Sequence, residues 1–332
     1  MMRRTGLLTL LVFLVAACGG DDPIPADQTG QAPKGGGDDG MEALKEYEGP
    51  AKQPAETAPK PEPVDPMKAL ETVARGALSS DDPEVQLEAI DKIHSGTGDR
   101  DQRARLVAQF LESEDADVRS TAATALGKME VRPMAANLRT LLAKEKDALV
   151  RKEALLSLFA LDGKNAVTDL LAIIENEDEH YSVRVSACQL LGRTGSDRAI
   201  PPLIKVLEEE FNESVRRECV AALAALKARR AIPQLIETLR DTNALVRTEA
   251  AKALGGMKAK KAAQALIDTL DLEEEDDIQV LEAVSRALGA IAGFGEDDLE
   301  DYLVTGNHTE AQKKAAVANW QEWWEENKAD YQ

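Results

Sequence analysis

VRTEAAKALGG, residues 246–256, has the pattern of an amphipathic helix, and the chain writes that helix several times. VRSTAATALGK begins at Val118, VRKEALLSLFA at Val150, VRVSACQLLGR at Val183 and VRRECVAALAA at Val215. Weaker copies open at Val85 and Val280. Successive valines lie 33, 32, 33, 32, 31 and 34 residues apart. Self-similarity at such a period is the signature of a repeat array.

Each column of the repeat has a physical reason. Four residues after the valine stand Ala89, Ala122, Ala154, Ala187, Cys219, Ala250 and Val284. Eight after it stand Ile93, Leu126, Leu158, Leu191, Leu223, Leu254 and Leu288. Offsets 0, 4 and 8 trace one stripe of a helix, so these residues face one core, and the small middle residue lets neighbouring helices approach. Three before the valine stand Asp82, Asp115, Asp147, His180, Asn212, Asn243 and Asp277. Six of these are strong acceptors for the unpaired N–H groups of a helix start. Gly127, Gly192, Gly255 and Gly289, nine after, read as helix stops.

A second amphipathic stretch precedes each motif, as in AIPPLIKVLEE (199–209), AIPQLIETLRD (231–241) and KAAQALIDTLD (261–271). Pro133, Pro201 and Pro233 fall where a first helical turn has no use for an N–H. Each unit is therefore helix, turn, helix. One hairpin cannot bury its apolar face alone, whereas stacked hairpins share a continuous core. With 43% hydrophobic but only 4% aromatic residues, that core is built from Ala, Leu, Val and Ile.

These residues resemble HEAT repeats of the PBS-lyase HEAT-like subtype, whose pattern is roughly LLxxLxD, a short turn, then VRxxAxxAL. The resemblance covers about residues 67–292. It implies an all-α fold, a right-handed α-solenoid of about seven hairpins. It also implies a structural arginine ladder, Arg119, Arg151, Arg184, Arg216 and Arg247, joining acidic residues of adjacent repeats. Asp178 and Asp241 match the family aspartate five before the valine, and Glu145, Glu210 and Glu275 are conservative departures. Gln86 and Leu281 replace the arginine at the two ends, which suits terminal units. Residues 293–332 form a C-terminal capping segment with all three tryptophans, Trp320, Trp323 and Trp324. Thr309 and Gln312 fit a capping box. Trp320 and Trp324, four apart, share a face and make an apolar lid on the last repeat.

The N-terminus has another character. Arg3 and Arg4 precede a short apolar run, and Val15-Ala16-Ala17-Cys18 resembles a bacterial lipobox. The run is too short to span a bilayer of roughly 30 Å. Residues 1–17 are read as a lipoprotein signal peptide and Cys18 as the lipidated residue. That implies export and a membrane anchor on the periplasmic or cell-surface side, with the outer membrane open. Residues 18–66 hold nine of the fourteen prolines and eleven acidic against four basic residues, so they read as a disordered tether. Its mean reach is on the order of 40 Å.

The chemistry of catalysis is sparse. Net charge is −20, with a surface that repels phosphate backbones, so nucleic acid is not an expected partner. Some HEAT-like enzymes hold iron on paired His-Glu steps, but His94, His180 and His308 are each followed by another residue type and lie in separate units. No metal, cofactor or catalytic residue is assigned. Cys188 and Cys219 sit in small-residue slots of neighbouring helices and read as two buried thiols, because bridging geometry is narrow.

The expected function is a non-enzymatic, membrane-tethered scaffold or adaptor in the bacterial envelope, with an unidentified protein or extended peptide as partner. The alternative is a HEAT-like enzyme or cofactor protein of the hydroxylase or bilin-lyase type. Offsets 2, 3 and 6 of the valine helices give the expected concave face: Ser120, Thr121, Thr124, Lys152, Glu153, Leu156, Val185, Ser186, Gln189, Arg217 and Glu218. The turns inside the hairpins are acidic, as in ENEDEH (175–180), and those between hairpins are basic, as in GGMKAKK (255–261), so the two edges carry opposite charge.

Overall fold

A computed structural model describes residues 65–331. The expected signal peptide, the expected lipidation site Cys18 and the expected tether up to residue 64 lie outside the described residues. The described chain is all-α. Seven antiparallel hairpins follow one another: α1 (Pro66–Leu78) with α2 (Pro83–Ser95), α3 (Arg100–Ala108) with α4 (Ala116–Met129), α5 (Ala135–Lys144) with α6 (Ala148–Asp162), and α7 (Val167–Glu175) with α8 (Tyr181–Thr194). Then come α9 (Ile200–Glu209) with α10 (Glu213–Ala225), α11 (Ile232–Glu237) with α12 (Ala244–Gly256), and α13 (Ala263–Thr269) with α14 (Ile278–Ala292). The even-numbered valine helices stack on one another and the odd-numbered helices back them, which gives a two-layered α-solenoid with one continuous core.

Each valine helix begins as its sequence dictates. All seven residues three before the valine accept a backbone N–H, including His180, whose Nδ1 receives Ser182 N–H at 3.3 Å. The imidazole thus does the work that Asp or Asn does elsewhere. Offsets 0, 4 and 8 are fully buried from Val118 through Leu288, and Leu223 is 0% exposed. At the first unit the stripe is incomplete, since Val85 is 42% exposed at the N-terminal end of the described residues.

The glycines nine after the valine do not end their helices. Helices α4, α8, α12 and α14 run past Gly127, Gly192, Gly255 and Gly289. They mark close approach instead: a Cβ at Gly255 would stand 2.7 Å from the Ala287 Cα, and one at Gly192 would stand 3.0 Å from the Ala222 Cα. The helix stops lie later, as at Gly195, whose φ of +66° suits a residue without a Cβ.

The end of the stack is closed by α15 (Glu296–Leu299) and α16 (Glu310–Asn327). Thr309 and Gln312 form the capping box at the start of α16. All three tryptophans are buried, Trp323 included, because Phe294, Tyr302 and Tyr331 fold around them. Trp320 Nε1 donates to the Tyr302 carbonyl at 2.8 Å, and Trp324 Nε1 donates to Gln264 Oε1 at 2.7 Å, which ties the lid to α13. No helix among the described residues is long and apolar enough to cross a membrane.

Candidate functional site

Two features recur along the solenoid: a polar spine at the repeat boundaries, and the outward face of the valine helices. The spine is the arginine ladder. Arg216 shows its usual form. Its Nε and Nη2 bond Asp241 of the next repeat at 2.7 and 2.9 Å, and its Nη1 donates to the Glu210 and Phe211 carbonyls of its own turn. Arg119 does the same to Glu145, and Arg247 to Glu275. Bidentate pairing on one side and carbonyl capping on the other uses the fixed fork of guanidinium donors. The side chains of Arg216 and Asp241 are only 12% and 10% exposed, so each rung is a largely buried pair.

The hydrogen bonds to Glu145, Asp241 and Glu275 raise the pKa of Arg119, Arg216 and Arg247 respectively. Burial opposes ionisation of Glu145, but Arg119 and the backbone N–H groups of Asp147 and Lys146 outweigh it and hold the carboxyl below its ordinary range. Asp241 is likewise lowered, against its burial, by Arg216 and the Asn243 N–H.

Two rungs depart from the expected pattern. Arg151 pairs with Glu179, four before its valine, and not with Asp178. Five residues separate α7 from α8, and the acid that meets Arg151 stands one position later than in the other rungs. Arg184 reaches back to the Ile174 carbonyl through Nε and Nη2, and presents Nη1 to Glu210. The N-terminal rung is replaced and not lost. Gln86 Nε2 donates to the Ser80 carbonyl at 2.7 Å, and Gln86 Oε1 accepts from Ser113 Oγ at 2.7 Å.

The ladder accounts for part of the acidic edge. One carboxylate of each inner turn from 145 to 275 is neutralised by an arginine of the preceding repeat. A second cross-repeat cluster went unread in the sequence: Arg139 of α5 bonds Asp169 of α7 at 2.9 Å and also Asp162. No repeating column signals it, because the odd helices carry no matching residues at that offset.

On the valine-helix face, Thr121 and Gln189 are exposed, while Ser120, Thr124, Lys152, Glu153, Leu156, Val185, Arg217 and Glu218 are partly exposed. Thr124 Oγ1 meets Glu153 Oε2 at 3.4 Å across a repeat boundary, and Arg217 pairs with Glu218 at 3.2 Å. Ser186 does not belong to this surface. It is 4% exposed, and its hydroxyl donates to the Ser182 carbonyl.

The face deepens at its C-terminal end, which the sequence reading did not single out. Between α12 and α14 lies a groove of about 430 Å³. Its floor is Gly255, Gly256, Ala283, Ala287 and Ala290, and its rim is Lys252, Gln279, Glu282 and Arg286. Lys252, Glu282, Ala283 and Arg286 stand at the same offsets as the earlier face residues. Thr248 lines the groove with a buried hydroxyl that has no hydrogen-bond partner among the described residues. The buried hydroxyls of Ser186, Thr238 and Ser285 turn to the carbonyl four residues back, and that of Thr194 to the carbonyl three back. A buried hydroxyl left unpaired is costly, and a bound polar group would relieve it.

The histidines do not converge. His94 lies in the last turn of α2, His180 caps α8, and His308 precedes α16.

No curated protein matches the chain. The solved structures it resembles include the complex of CpcE and CpcF of phycocyanin lyase from Nostoc sp., with 24% identity over 66% of this chain and 87% of that one, at a TM-score of 0.42. An engineered protein gives 22% identity over 76% and 78%, at 0.44. Human deoxyhypusine hydroxylase in complex with glycerol gives 18% identity over 78% and 97%, at 0.35. None of the three bears on activity at these levels of similarity. The family pattern described as HEAT repeats matches residues 70–159, 135–211, 167–237 and 200–285, and together these matches run through well over half of the 332 residues. With seven stacked hairpins and a boundary arginine in five of them, the chain belongs to the HEAT-repeat family.

Proposed function

We propose that this protein is a non-enzymatic scaffold, tethered to a bacterial membrane through Cys18, that binds an extended segment of a partner protein along the valine helices. The observation that carries the reading is the groove between α12 and α14. It continues the surface of offsets 2, 3 and 6, it is shallow and floored by small residues, and it holds the unpaired Thr248 hydroxyl. Such a surface suits a peptide backbone carbonyl and small side chains better than an enclosed substrate. The tether rests on the sequence: a lipobox at 15–18 followed by a proline-rich, acidic stretch.

The test is capture of partners by the full-length chain from detergent-solubilised envelopes, with Gln189→Lys/Arg217→Glu as the control. A stoichiometric partner retained by the parent and lost with the control supports the reading. Metal or pigment retained on the chain, with no partner, favours the cofactor-protein alternative. Membrane fractionation of Cys18→Ala tests the anchor: a variant that stays with the membrane removes the lipoprotein assignment.

A further inference from the structure

Cys188 and Cys219 are the two cysteines of the described chain, and they meet. Cys188 stands five after its valine on α8, and Cys219 four after its valine on α10. Both are 0% exposed, and their Sγ atoms lie 3.3 Å apart. The register explains the meeting. Offset 5 of one valine helix faces offset 4 of the next, and cysteine occurs once in each column, on the two sides of a single boundary.

The expectation of two separate thiols rested on the usual spacing of packed helices, about 8–10 Å between axes. The structure holds both as buried free thiols, as expected, but their contact at 3.3 Å removes the objection of distance. One turn further along, Gly192 sits so close to α10 that a Cβ there would stand 3.0 Å from the Ala222 Cα. This drawing-together of backbones brings the pair toward the Cα separation of about 4.4–6.8 Å that a disulfide needs. We propose that Cys188 and Cys219 are joined by a disulfide that locks the fourth hairpin to the fifth.

The chemistry balances with a low-molecular-weight disulfide as oxidant. One cysteine thiolate attacks it, releases one small thiol and leaves a mixed disulfide. The second cysteine sulfur then displaces the other small thiol. The two protein thiols lose two electrons and two protons in all, and the oxidant is reduced to two thiols. In the folded stack the reaction is suppressed. The contact with Cys188, together with burial, pushes the Cys219 thiol up, so it is not a ready nucleophile. The bond therefore forms while the boundary between α8 and α10 is open, during folding, and the closed boundary afterwards shields it from reductant. This makes it a structural link and not a catalytic dithiol.

The experiment refolds the full-length chain from denaturant in a buffer of oxidised and reduced glutathione, then alkylates it under denaturing conditions for intact-mass and peptide analysis. The expected product is about 2 Da lighter than the reduced chain. It carries no alkyl group on either residue and yields one cross-linked peptide spanning 188 and 219, distinct from any involving Cys18. The oxidised form should melt higher than the reduced form by on the order of 10 °C, given the loop of chain that the bond closes. The double variant Cys188→Ala/Cys219→Ala places alanine where Ala123 and Ala251 stand in the first column and Ala122, Ala154 and Ala250 in the second. It should fold and show no response to oxidant. Alkylation of both thiols after refolding, glutathione stably attached to either, or an oxidised form that melts no higher than the reduced one would overturn the proposal.

Discussion

Ser113 Oγ donates to Gln86 Oε1 at 2.7 Å, at a boundary where the next five repeats set an arginine against a carboxylate. Both partners changed character together, so the rung kept its two functions without charge. Gln86 still caps its own turn through Ser80, and it still reaches the following repeat. This is the most N-terminal boundary among the described residues. Converting it to the charged form tests the equivalence. Gln86→Arg alone and Ser113→Glu alone should each be neutral or destabilising. The double variant should recover about 1 kcal/mol of coupling in a double-mutant cycle read by urea denaturation. Additive single effects would show that position 113 is not the counterpart of Glu145.

Removal of a guanidinium within the ladder should be far more damaging. Arg216→Ala leaves Asp241 largely buried with only the Asn243 N–H to bond it, and it also frees the Glu210 and Phe211 carbonyls. A loss of about 3 kcal/mol is expected, because a buried carboxylate is left without its counter-ion. Replacement of both partners by apolar residues should lose much less, and that contrast separates the cost of an orphaned charge from the net worth of the pair. Equal losses in the two cases would contradict this account.

The period, the caps and the core stripe were all legible because each depends on neighbours along the chain. Val118, Ala122 and Leu126 are buried as their spacing requires, and Asp115 caps as its chemistry requires. What escaped the sequence depends on distances between repeats. Gly255 looks the same whether it ends a helix or admits a neighbour, and only the approach of Ala287 decides. Glu179 takes the place of Asp178 in the ladder, and because both are acids a column alignment does not tell which one meets Arg151. Ser186 lay at an outward offset, yet it bonds its own helix beneath the neighbouring one. The groove at Thr248 had no signal, since an unpaired hydroxyl is a property of its surroundings.

The glycine distinction gives a prediction within one dipeptide. A methyl at Gly255 would meet the Ala287 backbone at 2.7 Å, whereas one at Gly256 meets nothing within 4 Å. Gly255→Ala should lower stability by about 1–3 kcal/mol through overpacking, despite the better helix propensity of alanine. Gly256→Ala should be neutral or stabilising by up to about 1 kcal/mol. Thermal melts of the two variants decide it. The same response at both positions would place Gly255 as a helix stop after all.

Acid should weaken the ladder before alkali does. Glu145 and Asp241 both have folded pKa values below their ordinary values of 4.5 and 3.8. A group depressed in the folded state contributes stability that is complete above its unfolded pKa and is lost as pH falls toward the folded one. The melting temperature should therefore hold level from neutrality to about pH 5 and decline below about pH 4.5. The arginines are shifted upward from their already high ordinary value, so their contribution persists through any ordinary alkaline titration. Asp241→Asn isolates one rung. The amide can still accept from Arg216, but it carries no charge and no proton equilibrium in this range. The variant should be less stable than the parent at pH 7, and the gap should narrow as pH falls from 5 toward 2, because the parent protonates the carboxyl that the variant never had. A gap that stays constant over that range would mean that Asp241 titrates alike in the folded and unfolded chain, and that Arg216 does not hold it ionised.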